Sequence, residues 1–238
     1  MPTIWYNAKI VDIHAVNDHI RRFFIVTPDF PDFKAGQFLT LDLPLGEKRQ
    51  QRWRSYSIAS APGAHTIELC ISRIEHGAGT GFLFESLQVG DVIRCKGPEG
   101  NFTLPESLDM DLVMVCTGTG VAPFRSMLLH LAKQNINHQK LHLIFGCRTE
   151  ADILYRDEFE QLTSQLPGFR YDVALSRQEN WAGFKGHLHQ IYLEAYRDNR
   201  PDVLFMCCGW RAMIDEAIAN LVISLGYDRS QVRFELYG

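Results

Sequence analysis

The hydrophobic pattern changes character once along the 238 residues, near 105–109, and this change constrains the fold more than any other feature. Before it, short runs at 4–13, 20–26, 37–43, 54–58, 66–74 and 91–96 are punctuated by Thr27-Pro28-Asp29, Leu43-Pro44-Leu45-Gly46 and Ala61-Pro62-Gly63. Such runs, broken by Pro, Gly and Asp, predict β-strands joined by turns. Six strands with one short helix suit a small antiparallel barrel. After it, apolar runs at 112–116, 141–145, 171–175 and 203–206 alternate with amphipathic segments at 123–133, 155–165, 188–196 and 213–225. That alternation is the pattern of βαβ units around a parallel sheet buried on both faces. The expected architecture is two domains, an antiparallel β-barrel over 1–108 and an α/β parallel-sheet domain over 109–238.

A composition of 46% hydrophobic and 22% charged residues is that of an ordinary globular protein. The net charge of -4 argues against a nucleic-acid or membrane-surface partner, because neutralising phosphates takes a surplus of Lys and Arg. No run approaches the roughly 18 apolar residues of a membrane span, and the amino terminus lacks a charged leader with an apolar core. We expect a cytoplasmic protein, monomeric or weakly dimeric. Cys70, Cys95, Cys116, Cys147, Cys207 and Cys208 are scattered through apolar runs without C-x-x-C or ferredoxin-type spacing, so neither a disulfide framework nor a bound metal or iron–sulfur cluster is expected.

Several local strings carry chemistry. Arg54-Ser55-Tyr56-Ser57 places a cation, a phenol and a hydroxyl in four residues; on a strand, Arg54 and Tyr56 share a face and Ser57 turns away. A guanidinium suits a diphosphate and an aromatic ring suits a flat ligand. In Gly77-Ala78-Gly79-Thr80-Gly81 a glycine-rich approach precedes a helical segment at 82–87, where unpaired N–H groups favour anions, although an ordinary helix cap explains it equally well. The run 112–123 reads strand, Thr117-Gly118-Thr119-Gly120 turn, then a helix with Pro123 in its first turn, a phosphate-approach loop at the carboxyl end of a strand. The polar loop 46–52 carries three cations and reads first as solvated, second as a docking patch for an acidic partner.

Taken together and in this order, these strings resemble the ferredoxin-NADP(H) reductase superfamily. Arg54-Ser55-Tyr56-Ser57 is similar to its flavin signature, Lys34-Ala35-Gly36-Gln37-Phe38 to a strand opening it uses, and Gly97-Pro98-Glu99-Gly100-Asn101-Phe102 to its barrel-closing turn. The string from Gly118 to Met127 resembles its nicotinamide-dinucleotide loop, and Cys208-Gly209 with Met213 its C-G-x-x-x-M motif. The family implies FAD and NADPH, with NADH an alternative. It also implies Arg54, Tyr56, Ser57, Ser72, Gly79 and Thr80 around the flavin. Gly118, Thr119, Gly120, Pro123, Arg148, Ser176, Arg177, Cys208, Gly209 and Met213 would then serve the nicotinamide dinucleotide. The Ser176-Arg177 pair resembles the 2'-phosphate contact of NADP-preferring members, with Lys185 as a stand-in for their supporting Lys. Some NAD-preferring relatives carry Ser-Arg too.

The carboxyl end resembles the V-E-V-Y of plant-type members, which assigns proton delivery to Glu235 and flavin coverage to Tyr237; Gly238 is an addition to that pattern. Ser57, Cys208, Glu235 and Tyr237 are the implied catalytic set. The implied activity is hydride transfer between NAD(P)H and flavin and single-electron transfer to ferredoxin, flavodoxin or an oxygenase or cytochrome P450 partner. A flavin reductase that releases its product, and a flavin-binding electron-transfer subunit of a larger complex, are the alternatives. Dihydroorotate-oxidising relatives are disfavoured, because their carboxyl-terminal cysteine cluster is missing.

Overall fold

The computed structural model describes residues 4–237, in two compact units. The first comprises residues up to 104 together with 125–130; the second comprises 105–124 and the chain from 131 onward.

The first unit is built on six antiparallel strands: β1 (Tyr6–Asn17), β2 (Ile20–Val26), β3 (Phe38–Asp42), β4 (Trp53–Ser57), β5 (Ile67–Ser72) and β6 (Val92–Glu99), in the order β4-β3-β6-β1-β2-β5. The two end strands meet just beyond β4, where Ile58 bridges Leu69 and the Ala59 N–H donates to the Glu68 carbonyl at 2.8 Å. That bridge brings the sheet's two ends together, so little strand edge is left unpaired there. Inward residues of the strands, among them Ile10, Phe23, Ile25, Leu39, Leu41 and Leu69, make one core, which Leu83 and Phe84 of helix α2 (Ala78–Glu85) join. A four-residue helix, α1 (Arg49–Arg52), precedes β4.

The second unit is a parallel sheet of β7 (Asp111–Thr117), β8 (Leu141–Cys147), β9 (Phe169–Leu175), β10 (Phe184–Lys185), β11 (Val203–Trp210) and β12 (Val232–Tyr237), in the order β10-β9-β8-β7-β11-β12. Four helices alternate with the strands: α3 (Ala122–Gln134), α4 (Arg156–Gln165), α5 (His189–Ala195) and α6 (Arg211–Ile218). The chain winds outward from β7 through β10, then returns to the other side of β7 for β11 and β12. The crevice between β7 and β11 is therefore the topological switch point, where open α/β sheets place ligands beyond the carboxyl ends of their strands.

The fold class is the one the hydrophobic pattern predicts, and the departures from it are local. Residues 49–52 are not open loop: Arg52 donates from Nε and Nη2 to both carboxylate oxygens of Asp42, at 2.8 and 2.7 Å, and this fork holds the turn as a helix. The expected turn at Gly97-Pro98 is strand. β6 runs through it to Glu99, the ladder to β3 skips a residue there, and the turn falls at Gly100 with φ +102°. Helix α2 starts at Ala78, so Gly79 and Thr80 lie in its first turn, not ahead of it. The long helix expected over 213–225 is α6 followed by a wider turn at Ala219–Ser224, and β10 has too few residues to show periodicity. No helix among the described residues is long and apolar enough to cross a membrane, and they hold no group of three metal-ligating side chains.

A polar network lies inside the second unit. Tyr196 Oη donates to His142 Nδ1 at 2.9 Å, His142 Nε2 donates to Asp172 Oδ2 at 2.9 Å, and Arg170 Nη2 pairs with the same oxygen at 2.5 Å. Burial pushes the His142 pKa down, outweighing the pull of Asp172. Burial would raise the Asp172 pKa, but its bonds from His142 and Arg170 hold it below the usual carboxylate range. The folded state thus favours neutral His142, and its stabilisation is present above the ordinary histidine value of about 6.5. Below that value the unfolded chain binds the extra proton, so stability is lost as pH falls; Asp172 adds a loss of the same sign at lower pH. The urea midpoint should therefore fall between about pH 7.5 and pH 5. His142→Gln, whose amide can remake both bonds, should flatten that slope at a cost of about 1 kcal/mol at neutral pH.

Candidate active site

In the first unit, β4 supplies the side chains. Opposed residues on antiparallel neighbours point to one face. Arg54 opposes Leu41 and Tyr56 opposes Leu39, whereas Ser57 opposes Phe38 on the other side, as strand alternation predicts. Tyr56 packs against the barrel core, and burial pushes its pKa up to about 12 against the opposing pull of Arg54, so the phenol keeps its proton and can donate. Ser57 is buried and Ser72 half-buried, at the ends of β4 and β5.

The Arg54 side chain lies across the first turn of α2. A Cβ added at Gly79 would sit 2.8 Å from Arg54 Nε and 3.1 Å from its Cγ, so glycine there leaves the guanidinium its place beside the helix amino terminus. The first N–H groups of α2 have no acceptor within the helix, and a cation stands next to them: a cradle suited to a diphosphate. Arg54 Nη1 donates meanwhile to the carbonyls of Gln50 and Trp53 at 3.0 and 2.8 Å, which fixes its direction. The Thr80 hydroxyl is engaged with the loop behind it. It accepts from the Ile74 N–H at 3.0 Å and lies 3.3 Å from the Ile74 and Gly77 carbonyls. Thr80 therefore shapes the turn, and backbone N–H groups are what α2 offers an anion.

In the second unit, the loop after β7 approaches the end of β11. A Cβ at Gly120 would fall inside the van der Waals surface of the Cys208 carbonyl, so glycine there lets the two backbones meet at the switch point, and one at Gly209 would lie 2.7 Å from Thr117 Oγ1, so glycine there leaves room for that side chain and for Met213. Gly118, with φ +52°, makes the turn, and Thr119 and Pro123 lead into α3. Cys116, Cys208 and Glu235 are in register across β7, β11 and β12 and share a face, while Cys207 joins the core on the other side. Burial, then the nearby Glu235 carboxylate, push the Cys208 pKa well up, so it is a neutral thiol. Met213 packs at Gly209, and half-buried Tyr237 ends β12 opposite Trp210.

At the ends of β8 and β9, the Arg177 N–H donates to the Arg148 carbonyl at 2.8 Å, which places two exposed arginines side by side. The Ser176 hydroxyl donates to the Cys147 carbonyl at 3.3 Å. Lys185 stands on β10 opposite Leu175 and is exposed. Asp152 is structural: its carboxylate accepts from Thr149 N and Oγ1 at 3.0 and 2.9 Å. Gly238 lies outside the described residues.

Sequence reasoning missed two features. Thr117 Oγ1 is buried at the switch point with no hydrogen-bond partner among the described residues, the kind of donor a bound dinucleotide would satisfy; its place just before Gly118 is the only signal. The other is Glu68, a carboxylate buried within the first unit. Its Oε1 accepts from Arg22 Nε at 2.6 Å and its Oε2 from Arg125 Nη1 at 2.8 Å, and Arg125 also donates to the Ala59 carbonyl. A lone Glu inside the apolar run 67–71 was the sequence signal for it.

A barrel with an anion cradle and a parallel sheet with a glycine loop at its switch point define a two-domain flavin and nicotinamide-dinucleotide oxidoreductase. Residues 7–104 match the family described as the oxidoreductase FAD-binding domain, and 114–218 the oxidoreductase NAD-binding domain. The chain is 35% identical to ferredoxin–NADP reductase B of Sorangium cellulosum, over 98% of its own length and 97% of that protein's. It is 30% identical to the phenol hydroxylase P5 protein of Acinetobacter pittii, over 94% of this chain but 63% of that longer relative. A ferredoxin NADP+ reductase from Neisseria gonorrhoeae, solved with bound FAD and NADP, superposes with a TM-score of 0.84 at 27% identity, over 98% of each chain. The chain belongs to the ferredoxin-NADP(H) reductase superfamily, and it is an oxidoreductase using FAD and a nicotinamide dinucleotide.

If Arg54 depends on the space at Gly79, Gly79→Val should displace it. The expected outcome is a flavin dissociation constant raised about tenfold, or about 1.4 kcal/mol, read from bound-flavin absorbance after gel filtration. Unchanged retention would separate Arg54 from flavin binding.

Proposed function

We propose that this protein transfers electrons from NADPH through FAD to a one-electron carrier protein: a ferredoxin, a flavodoxin, or the iron or haem component of an oxygenase. When bound, FAD supplies the conversion of a two-electron hydride donor into single-electron steps. The observation that carries the nucleotide choice is that Arg148 and Arg177 are backbone neighbours at the ends of β8 and β9, both exposed and without a carboxylate partner among the described residues, with Ser176 next to Arg177 in the chain. A phosphate dianion matches two forks and a hydroxyl, and NADH has no group for them. Lys185, one strand further, adds a third cation.

The remaining roles follow from chemistry and placement. Arg54 and the N–H groups of α2 hold the flavin diphosphate, Tyr56 lies against the flavin, and Ser57 and Ser72 offer it hydroxyls. Gly118, Thr119, Gly120 and Pro123 admit the nicotinamide dinucleotide at the switch point, with Gly209 and Met213 opposite. Cys208, neutral and buried, gives the nicotinamide a compact apolar wall and no competing thiolate nucleophile. Glu235, in register with Cys208, positions the nicotinamide or passes a proton, and Tyr237 covers the flavin. We place the protein in the cytoplasm.

Anaerobic mixing of the FAD-loaded protein with NADPH and, separately, NADH tests the reading. Rapid bleaching of flavin absorbance by NADPH, slower by NADH, is expected; a protein that cannot be loaded with FAD would sink it. Arg177→Ala should weaken NADPH about 10- to 100-fold and change NADH less than about twofold, and equal losses would end the 2'-phosphate assignment. Cys208→Ala should slow flavin reduction about tenfold with flavin still bound, and unchanged kinetics would remove this residue from the site.

A further inference from the structure

The three residues that follow Ser57 are held by bonds from three separate parts of the first unit. The Ile58 N–H donates to the Gln37 carbonyl at 3.0 Å, and the Ala59 N–H to the Glu68 carbonyl at 2.8 Å. The Glu68 N–H in turn donates to Ser60 Oγ at 3.1 Å. Side chains of α3 take two carbonyls of the segment. Arg125 Nη1 donates to the Ala59 carbonyl at 2.9 Å and Ser126 Oγ to the Ser60 carbonyl at 2.7 Å, each across 66 positions of sequence. Arg125 and Ser126 lie in the stretch 125–130, which belongs to the first unit. The same Nη1 reaches Glu68 Oε2 at 2.8 Å, so one nitrogen ties a carboxylate of β5 to the backbone beyond β4. Arg125 is 7% exposed and Glu68 4%, and Ser60 and Ser126 are buried with them.

A guanidinium this deep carries a large desolvation penalty, and well-packed apolar residues in place of a buried ion pair are often as stable. What apolar residues could not do is hold a backbone carbonyl at a fixed distance from β5. Charge-assisted bonds are short and directional, and the planar guanidinium offers its donors in a fixed fork. We propose that Arg125 is a positioning residue for the flavin end of β4: with Ser126 beside it, it fixes the segment 58–60, and through that segment the place at which Ser57 presents its hydroxyl. The inference rests on the placement of Ser57 beside the flavin given above. β4 ends its sheet and is laddered to β3 alone, so beyond Ser57 its course depends on the Ile58–Leu69 bridge and on the bonds just described. The lever is short, since the Ala59 carbonyl is two residues from Ser57, about 7 Å along an extended chain. Groups at a reacting centre have to be held to within about 0.5 Å, and a misplacement of about 1 Å can slow a reaction about a hundredfold.

The test is a double-mutant cycle on the FAD-loaded protein. Flavin reduction by NADPH is followed by anaerobic stopped flow, with the visible absorption spectrum of the bound flavin and the thermal unfolding curve recorded for each variant. Arg125→Lys keeps the charge that Glu68 needs and loses the planar fork. It should slow flavin reduction at saturating NADPH about tenfold, keep the flavin bound and shift its visible bands. Ser126→Ala, which leaves the buried ion pair alone, should slow reduction about threefold. In a Ser57→Ala background neither substitution should slow reduction by more than about a further twofold or move the spectrum, because the effect passes through Ser57. An unchanged rate in Arg125→Lys, or a loss that multiplies with that of Ser57→Ala, would overturn the positioning role. Should Arg125→Lys not fold, Ser126→Ala decides by the same two criteria. A wild-type protein that holds FAD but is not bleached by NADPH would strike the electron-transfer reading instead. The spectra then decide the clamp: a band shift in Arg125→Lys that vanishes in the Ser57→Ala background supports it, and the absence of a shift overturns it.

Discussion

The approach of one backbone to another at the centre of the parallel sheet is the constraint on which the nucleotide-binding half depends. Gly120 leaves no room for a side chain because the Cys208 carbonyl occupies its space, and Gly209 next to it makes room for the Thr117 hydroxyl and the Met213 side chain. A parallel sheet buried on both faces exposes function only at the ends of its strands, and the crevice between β7 and β11 exists because the chain reverses direction there. Small residues keep the crevice open, and Thr117 presents a buried hydroxyl with no hydrogen-bond partner among the described residues.

The barrel half relies on the same principle with a different partner. Gly79 makes room not for backbone but for the Arg54 side chain, which brings a guanidinium beside the N–H groups of α2. A cation at a helix amino terminus is unfavourable alone, since both are positive. It is a sensible arrangement where a dianionic group is to be bound, and Arg54 is meanwhile held by the Gln50 and Trp53 carbonyls. Elsewhere in the same unit Glu68 is buried between Arg22 and Arg125, where both of its oxygens are satisfied. Removing one partner of such a group would leave uncompensated charge, a far larger penalty than losing a surface ion pair.

The cysteines show how burial decides chemistry. Cys116 and Cys208 have pKa values pushed well up by desolvation, and Cys95 is pushed up to about 11. These thiols are neutral and pack as small apolar groups. The charged chemistry is displayed where water reaches it, at Arg148 and Arg177 on the sheet ends.

By itself the sequence determined the two-domain class, the strands and helices of strong periodicity, and the family, because apolar spacing is local and the Arg54 to Ser57, Gly118 to Pro123 and Cys208 to Met213 strings are contiguous. Only the tertiary structure decided what depends on residues far apart in the chain. Asp42 turns loop 49–52 into a helix from ten positions away, and the ladder with β3 draws Gly97-Pro98 into a strand. It is likewise tertiary structure that gives the Thr80 hydroxyl to its own loop, joins His142 to Asp172 and Tyr196, and assembles Trp5, Trp53, Arg94 and Lys96 into one face. The physical reason is common to all of these. Periodicity reports which side of an element is buried, whereas hydrogen bonds, ion pairs and ring contacts are made with whichever residue the fold brings within a few ångströms, and that neighbour is not written beside them in the chain.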